Sequence, residues 1–262
     1  MWYVQKDVFG EEEETRLKET LDKLNIGRCD CDGLRIEGAN SKPGRNRRPV
    51  FRGALEFVTS MSSVFDAGHP GVTPPRYRCS IYYDPWLPAM LNHDYFLVPW
   101  SSLEKHGNDY FETMACDKLF IRPNSGYKIF TGNYITKKWL SKDLEVIKGL
   151  PGNNAEEDTL VLVAPYQEIK SEFRCMMHRS KMVSYSYYSG EEMFGENLEG
   201  RLTRYVESAA YNANYFPDTY YTIDVAVLSN GELSIIELNS LFSAGWYDAD
   251  YEKIVRHIRE NF

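Results

Sequence analysis

The chain has 262 residues, of which 43% are hydrophobic and 26% are charged, and these fractions are typical of a folded globular protein. Its 30 basic and 38 acidic residues give a net charge of −8 at pH 7, which argues against a general nucleic-acid-binding surface. No apolar run approaches the length of a membrane span, and the N-terminus lacks the basic and apolar regions of a signal peptide. We therefore expect a cytoplasmic protein that does not bind membranes.

The five cysteines are scattered along the chain, and their number is odd. The spacing of Cys29 and Cys31 is too short for the usual zinc knuckle, and no pair of histidines completes one. We predict reduced thiols with structural roles.

The first part of the chain alternates strands with helices. Residues 1–9 predict a strand and residues 11–27 a helix with acidic residues in its first turn. Residues 48–65 repeat this order, which favours a small α/β unit with parallel strands. Residues 66–88 are dense in glycine and proline, so we predict that they are largely loop.

From Leu97 onward the pattern changes. Residues 117–135 predict two strands that are joined by a glycine-containing turn. The other predicted elements are a short helix (142–150), an apolar central strand (159–169), a strand pair (171–190), a helix (200–216), a hairpin (220–240) and an amphipathic C-terminal helix (247–262).

The predicted hairpin of residues 220–240 contains two carboxylates inside apolar runs. Asn230-Gly231 is a strong signal for a two-residue turn. With these two residues as the loop, Asp224 lies directly opposite Glu237, and like charges in such a pair destabilise a sheet unless they are neutralised.

Asn239 has the same parity as Glu237, so both side chains point to one face of the sheet. Carboxylate and amide oxygens are the ligands that Mg²⁺ accepts, and a cation would neutralise the pair. Two alternatives remain from the residues alone: a polar face in contact with water, or two carboxyl groups that share a proton.

Three segments, RPNSGYKIFTG, APYQEIKSEFR and DVAVLSNGELSIIELNS, occur in that order and resemble motifs of the ATP-grasp superfamily, in particular of small bacteriophage-type ATP-grasp proteins. The resemblance covers residues 97–247. It implies an α/β (α+β) fold in which two α+β subdomains, about 97–169 and 170–262, hold ATP between them. The preceding residues, 1–96, resemble more loosely the small α/β domain that precedes the ATP-grasp domain.

The resemblance implies three catalytic cations: Arg122, Lys128 and Arg174. The first two flank a turn in which Gly126 lets backbone amides approach the phosphates of ATP. Arg174 corresponds to a basic residue aimed at phosphate or substrate. The alternative for the first two is a surface hairpin with two solvated cations.

The end of the apolar strand resembles the hinge between the two subdomains, where backbone groups read the adenine edge. This gives Gln167, Glu168 and Ile169 to ATP binding, and Glu172 to the ribose hydroxyls. The alternative for Glu172 and Arg174 is an exposed ion pair on a strand edge.

The resemblance assigns Asp224, Glu237 and Asn239 to a Mg²⁺ site, with Mn²⁺ as a second metal that the site could take. The loop after this motif could border the acceptor substrate. Candidate substrate-binding residues are Ser243 and Gly245 in that loop and Arg201 and Arg204 in the preceding helix, and the alternative for both arginines is simple solvent exposure.

The activity that the resemblance implies is an ATP-dependent ligase that joins a carboxylate to an amine or a thiol. The reaction passes through an acylphosphate and releases ADP and phosphate. The partners are ATP, a carboxylate substrate and an amine acceptor, which is a small molecule, a peptide or a host protein if a phage encodes the chain. A kinase-like phosphotransferase and a non-catalytic ATP-binding regulator remain as alternatives, and the sequence names neither the acid nor the acceptor.

Overall fold

The computed structural model describes residues 1–33, 35–36, 48–65, 73–127, 129–191 and 197–262. Within these ranges the chain forms three four-stranded sheets, numbered here in chain order, and seven α-helices, as the predicted α/β class requires. None of the described helices is long and apolar enough to cross a membrane. No disulfide joins the five cysteines, all of which lie within the described ranges.

Sheet 1 is built from the first part of the chain and has the strand order β3-β2-β1-β4. Strand β1 is parallel to both β2 and β4, which confirms the predicted parallel unit, whereas the short β2–β3 hairpin was not predicted. Its elements are β1 (Trp2–Gln5), α1 (Glu11–Lys23), β2 (Arg28–Asp32), β3 (Arg35–Ile36), β4 (Val50–Arg52) and α2 (Leu55–Phe65).

The connection to the next sheet is more helical than predicted. Residues 74–77 and 87–89 form 3₁₀ turns on either side of helix α3 (Cys79–Trp86). The prediction of loop is therefore wrong over this part. Proline is tolerated here because Pro85 lies in the last turn of α3, where its ring disturbs few backbone hydrogen bonds, and because the aromatic side chains of this helix are buried.

Sheet 2 has the order β5-β8-β6-β7, and its neighbouring strands are antiparallel. Leu119, Ile121 and Val163 pack under the helices on one face. Side chains two residues apart share a face, so Phe120 and Arg122 lie on the other, which is turned toward sheet 3. The elements are β5 (Phe96–Pro99), α4 (Trp100–Thr113), β6 (Lys118–Pro123), β7 (Asn133–Thr136), α5 (Leu140–Lys148) and β8 (Leu160–Pro165).

Sheet 3 is fully antiparallel and has the order β10-β9-β11-β12. Helix α6 packs on the face formed by residues such as Cys175 and Ile223, which leaves the face of Arg174 and Asp224 for the cleft. The elements are β9 (Ile169–His178), β10 (Lys181–Gly190), α6 (Leu198–Ala213), β11 (Tyr220–Leu228), β12 (Leu233–Ser240) and α7 (Tyr251–Asn261).

The C-terminal helix α7 packs on sheet 1 as well as on sheet 3. Its buried residues Val255 and Ile258 share one apolar core with Leu21 of α1 and Met176 of β9. Asp250 caps the helix by accepting a hydrogen bond from the backbone N–H of Lys253 (2.9 Å). The predicted domain boundary after residue 96 stays a prediction, but the packing joins both ends of the chain in one core.

Candidate active site

The tip of the β11–β12 hairpin differs from the predicted two-residue turn. The backbone N–H of Leu228 donates to the carbonyl of Glu232 (2.9 Å), and that of Gly231 donates to the carbonyl of Leu228 (2.8 Å). The loop is therefore residues 229–231, and Gly231 takes a left-handed conformation with φ +83°. A three-residue loop of this kind places its glycine where other residues would be strained.

A bulge in β12 restores the predicted pairing farther along the hairpin. Val225 pairs with Ile235, whereas the next residue of β11, Asp224, pairs with Glu237. Ile236 is the extra residue between these two pairs. The predicted opposition of Asp224 and Glu237 is therefore correct, although the turn on which it was based is not.

Asn239 bridges the two carboxylates. Its Nδ2 lies 3.1 Å from Oδ2 of Asp224 and 2.8 Å from Oε1 of Glu237, so the three polar side chains converge on one face of sheet 3. Asp224 is buried, and the other two are half-buried.

Each carboxylate also contacts an arginine. Arg174 binds Asp224 through both Nε (2.7 Å) and Nη2 (2.8 Å), and Arg122 reaches across from sheet 2 to Glu237 (2.6 Å). The predicted charge repulsion is therefore compensated by two guanidinium groups. Such charge-assisted contacts are among the strong hydrogen bonds in proteins.

The electrostatics of the cleft follow from this pairing. Although burial lowers the pKa of Arg174, the Asp224 carboxylate raises it further, so the guanidinium stays charged. Glu172 lies two residues before Arg174 on the same face and accepts a hydrogen bond from Ser189 (3.2 Å). Burial, together with the negative charge of Asp224, raises the pKa of Glu172.

An aromatic wall stands beside Arg174. Its guanidinium carbon lies 5.0 Å from the ring centre of Tyr188 and 5.3 Å from that of Tyr247, and its Nη1 donates to the carbonyl of Gly245 (3.2 Å). Tyr247 has φ +46°, an unusual value for a bulky residue, and such strain costs on the order of 1–3 kcal/mol. The surroundings must therefore hold Tyr247 in place.

The predicted phosphate turn follows Arg122 and is packed against the segment before α3. Asn124 binds Ser80 through both atoms of its side-chain amide, and a Cβ on Gly126 would lie 1.8 Å from the carbonyl oxygen of Pro74. The glycine is thus required by a close backbone contact. Lys128 lies outside the described residues.

The predicted hinge joins sheet 2 to sheet 3. Strand β8 ends at Pro165 and β9 begins at Ile169, and both Gln167 and Glu168 between them are exposed. Their assignment to ATP binding, like that of Glu172 to the ribose, stays a prediction.

Lys118 is a site residue that the sequence reasoning missed. Its ammonium group lies 3.7 Å from the ring centre of Tyr134 and 3.5 Å from that of Tyr166, next to the hinge. The alternation of side chains along β6 is the signal that could have identified it, since Lys118 shares a face with Arg122.

The structure does not bring Arg201 and Arg204 into the cleft. Both are exposed on α6, which covers the opposite face of sheet 3, and Arg201 donates to the carbonyl of Gly231 at the hairpin tip (2.7 Å). Their prediction as substrate residues is wrong, because the apolar face of α6 directs them to solvent. Ser243 and Gly245, by contrast, lie in the loop beside Arg174.

The residues present fit a hard divalent cation. The Asn239 amide is shared by two carboxylates, which is the position that a cation ligated by both would occupy. Rotation of the amide by half a turn would present its oxygen in place of its nitrogen. The described residues contain no group of three His, Cys, Asp or Glu side chains that could hold a metal, so a site here depends on Asn239.

Two sheets that face each other across a hinge, with this polar cluster between them, define an ATP-grasp fold. Residues 105–257, more than half of the chain, match a family model that is described as an ATP-grasp domain, family 2 of its clade. The chain belongs to this family. A search of curated proteins finds no match.

Solved structures share the fold at low sequence identity. D-cycloserine synthetase DcsG aligns with a TM-score of 0.64 at 12% identity, over 99% of this chain and 98% of its own. D-alanine–D-alanine ligase from Bacillus anthracis gives 0.61 at 13% identity, over 99% and 96%. ATP-grasp ligase PsnB in complex with a minimal precursor gives 0.60 at 10% identity, over 100% and 99%. At these identities the likeness concerns the fold.

Proposed function

We propose that the protein is an ATP-dependent ligase that joins a carboxylate to an amine through an acylphosphate and releases ADP and phosphate. The observation that carries this proposal is the convergence of Asp224, Glu237 and Asn239 with Arg122 and Arg174 in the cleft of an ATP-grasp fold. Phosphoryl transfer depends mainly on positioning and on electrostatic stabilisation, which such a cluster supplies.

The reaction has two steps. A carboxylate oxygen of the acid attacks the γ-phosphorus of ATP, and the bond from this phosphorus to the bridging oxygen breaks, so that an acylphosphate and ADP form. The amine nitrogen then attacks the carbonyl carbon, the carbon–oxygen bond to phosphate breaks, and the amine loses a proton to water. The products are an amide, ADP and phosphate.

The residues of the cleft have distinct proposed roles. Asp224, Glu237 and Asn239 would hold Mg²⁺ or Mn²⁺, which supplies charge neutralisation at the phosphates. Arg122 approaches from sheet 2, at the side where the phosphates would lie, and donates to Glu237. Arg174 keeps Asp224 in a fixed orientation through its two parallel hydrogen bonds.

The names of the similar structures suggest the range of acceptors. They include a synthetase of D-cycloserine, a ligase of two D-alanines and a ligase in complex with a precursor. By analogy, the acceptor of this chain is an amine on a small molecule, a peptide or a protein, in the cytoplasm of the cell or of the phage host. The identity of the acid is left to the experiment.

The test is a trapping experiment with the full chain, Mg-ATP, hydroxylamine and a panel of carboxylic acids, peptides and proteins. With the right acid we expect a hydroxamate and ADP in equal amounts. Arg122→Met should lower turnover at least about tenfold, which corresponds to roughly 1.4 kcal/mol for one charge-assisted contact. Arg256→Met, which removes an exposed arginine from α7, is the matched control and should leave turnover unchanged.

The alternatives give different products. A stable phosphorylated acceptor would identify a kinase-like phosphotransferase, and tight ATP binding without nucleotide loss would identify a regulator. AMP and pyrophosphate would contradict the proposal, because they report attack at the α-phosphorus.

A further inference from the structure

Arg52 connects sheet 1 to the loop that follows the Glu237 and Asn239 motif. It is the last residue of β4 and is 1% exposed. Its Nη1 donates to the carbonyl of Leu241 (3.2 Å) and to that of Ala244 (3.1 Å). Its guanidinium carbon lies 4.1 Å from the ring centre of Phe9 and 4.0 Å from that of Trp246, so the group is held by two aromatic rings.

Glu13 completes this contact from helix α1. One carboxylate oxygen accepts a hydrogen bond from Arg52, and the other accepts from the backbone N–H groups of Trp246 (2.9 Å) and Tyr247 (3.2 Å). These two amides belong to the residue with the left-handed backbone and to the residue before it. Glu13 therefore stabilises the strained conformation of Tyr247 by binding the donors that this conformation presents.

The other side of the same loop contacts the candidate active site. The carbonyl of Gly245 and the hydroxyl of Tyr247 both accept from Nη1 of Arg174, at 3.2 and 3.4 Å. Arg174 in turn holds Asp224 through two hydrogen bonds. A continuous series of contacts thus runs from sheet 1 to the predicted metal ligand.

We infer that Glu13 and Arg52 are positioning residues for the cleft, because they fix the loop of residues 241–247 so that it orients Arg174 and, through it, Asp224. This inference rests on the proposed ligase function for its activity readout. Both residues lie outside the span that matches the family model, residues 105–257.

The chemistry of the pair favours this role over a purely stabilising one. A buried ion pair is a weak source of stability, since the desolvation of two charges offsets their attraction. Burial lowers the pKa of Arg52, and the charge of Glu13 opposes that effect. Besides their contact with each other, both side chains direct their hydrogen bonds to backbone atoms of the loop, which is what fixing that loop requires.

The test is the double variant Glu13→Gln/Arg52→Met, which removes both charges together and leaves no unpaired ion. We expect kcat for ADP release to fall at least about tenfold, since small displacements of a site have such effects, whereas the KM for ATP changes less than about twofold. Hydrogen exchange of the peptide that covers residues 244–248 should become at least about tenfold faster.

Two control variants separate positioning from stability. Leu21→Ala thins the same core from α1 without a contact to the loop, and it should lower the unfolding temperature while kcat and the exchange of residues 244–248 stay as in the wild type. Lys23→Met removes an exposed charge from the same helix and should change none of these quantities. If the double variant fails to fold, Arg52→Lys retains the charge and loses one carbonyl contact, and an intermediate fall in kcat is expected.

The exchange measurement keeps this inference distinct from the proposed function. If the wild type releases no ADP with any acid, the ligase proposal fails. If the folded double variant or Arg52→Lys shows unchanged exchange at residues 244–248, the positioning role is overturned whatever the activity. A kcat equal to that of Leu21→Ala would overturn it as well.

Discussion

Arg174 illustrates how far one side chain can be assigned by its contacts. Nε and Nη2 each donate to Asp224, and Nη1 donates to Gly245 and Tyr247, so four of its five N–H groups have partners within the protein. The motif predicted a cation aimed at phosphate or substrate. These contacts favour a group that orients Asp224, and its predicted catalytic role is untested.

Glu237→Gln tests the metal site at the scale of one atom. The variant keeps the shape of the side chain and removes one anionic ligand, so we expect Mn²⁺ affinity, measured by calorimetry with ADP present, to fall at least about tenfold. Mg-dependent turnover should be lost. The free energy of unfolding should fall by no more than about 2 kcal/mol, because Arg122 loses a charged partner but keeps a hydrogen-bond acceptor.

Glu232→Gln is the matched control for this variant. Glu232 lies in the same hairpin, and its side chain accepts a local hydrogen bond from Asn230. Equal Mn²⁺ affinity in the wild type and in both variants would remove Glu237 from the metal site.

The limits of prediction at this scale have a physical cause. Asp224 and Glu237 could be paired from the sequence because parity along a strand is a local rule. Arg122 and Glu237 are 115 positions apart, and their contact depends on how sheet 2 is placed over sheet 3. Lys118 and Tyr166 also meet only through tertiary placement, and no local pattern indicates their contact.

At the scale of elements, the hairpin of β11 and β12 contains two departures that cancel. The loop has one residue more than predicted, and the bulge at Ile236 adds one residue on β12. The apolar pattern determines which side chains face the core, whereas the turn type alone does not determine the pairing. The carbonyl of the bulged Ile236 accepts from Arg122 (3.4 Å).

Gly231→Ala tests the geometry of the turn. A Cβ at this position meets no atom within 4 Å, so the cost is backbone strain at φ +83°. We expect the free energy of unfolding, measured with urea, to fall by about 1–2 kcal/mol. Gly149→Ala is the control, because Gly149 has φ −82° at the end of α5, and it should change stability by less than about 1 kcal/mol. An unchanged stability of Gly231→Ala would contradict the left-handed turn.

At the scale of the whole molecule, α7 docks on sheet 3 through a histidine pair. Nε2 of His257 lies 3.0 Å from Nδ1 of His178, and the ring of His178 stacks on that of Tyr220 with 4.6 Å between their centres. Burial lowers the pKa of both histidines. The charge of His257, followed by that of Arg179, lowers the pKa of His178 further. For His257, Glu260 opposes the shift and Lys253 adds to it.

This pair predicts how stability depends on pH. Above the unfolded-state pKa of about 6.5 both histidines are neutral in either state, so they add no pH dependence. As the pH falls below that value, the unfolded chain binds protons that the folded protein resists, and the free energy of unfolding decreases. His257→Gln should make the urea midpoint less dependent on pH between about 7.0 and 5.5. An equal slope in the wild type and in the variant would exclude the pair as a source.

The joint core of α1 and α7 has a practical consequence for experiments on the family region. A fragment limited to residues 105–257 would retain Val255 but lack Leu21 and the rest of sheet 1, and it would end before Ile258. The exposed apolar surface would favour self-association of such a fragment during expression. A circular permutant that joins the two termini and opens the chain at an exposed loop would preserve the core and would be the better design for truncation studies.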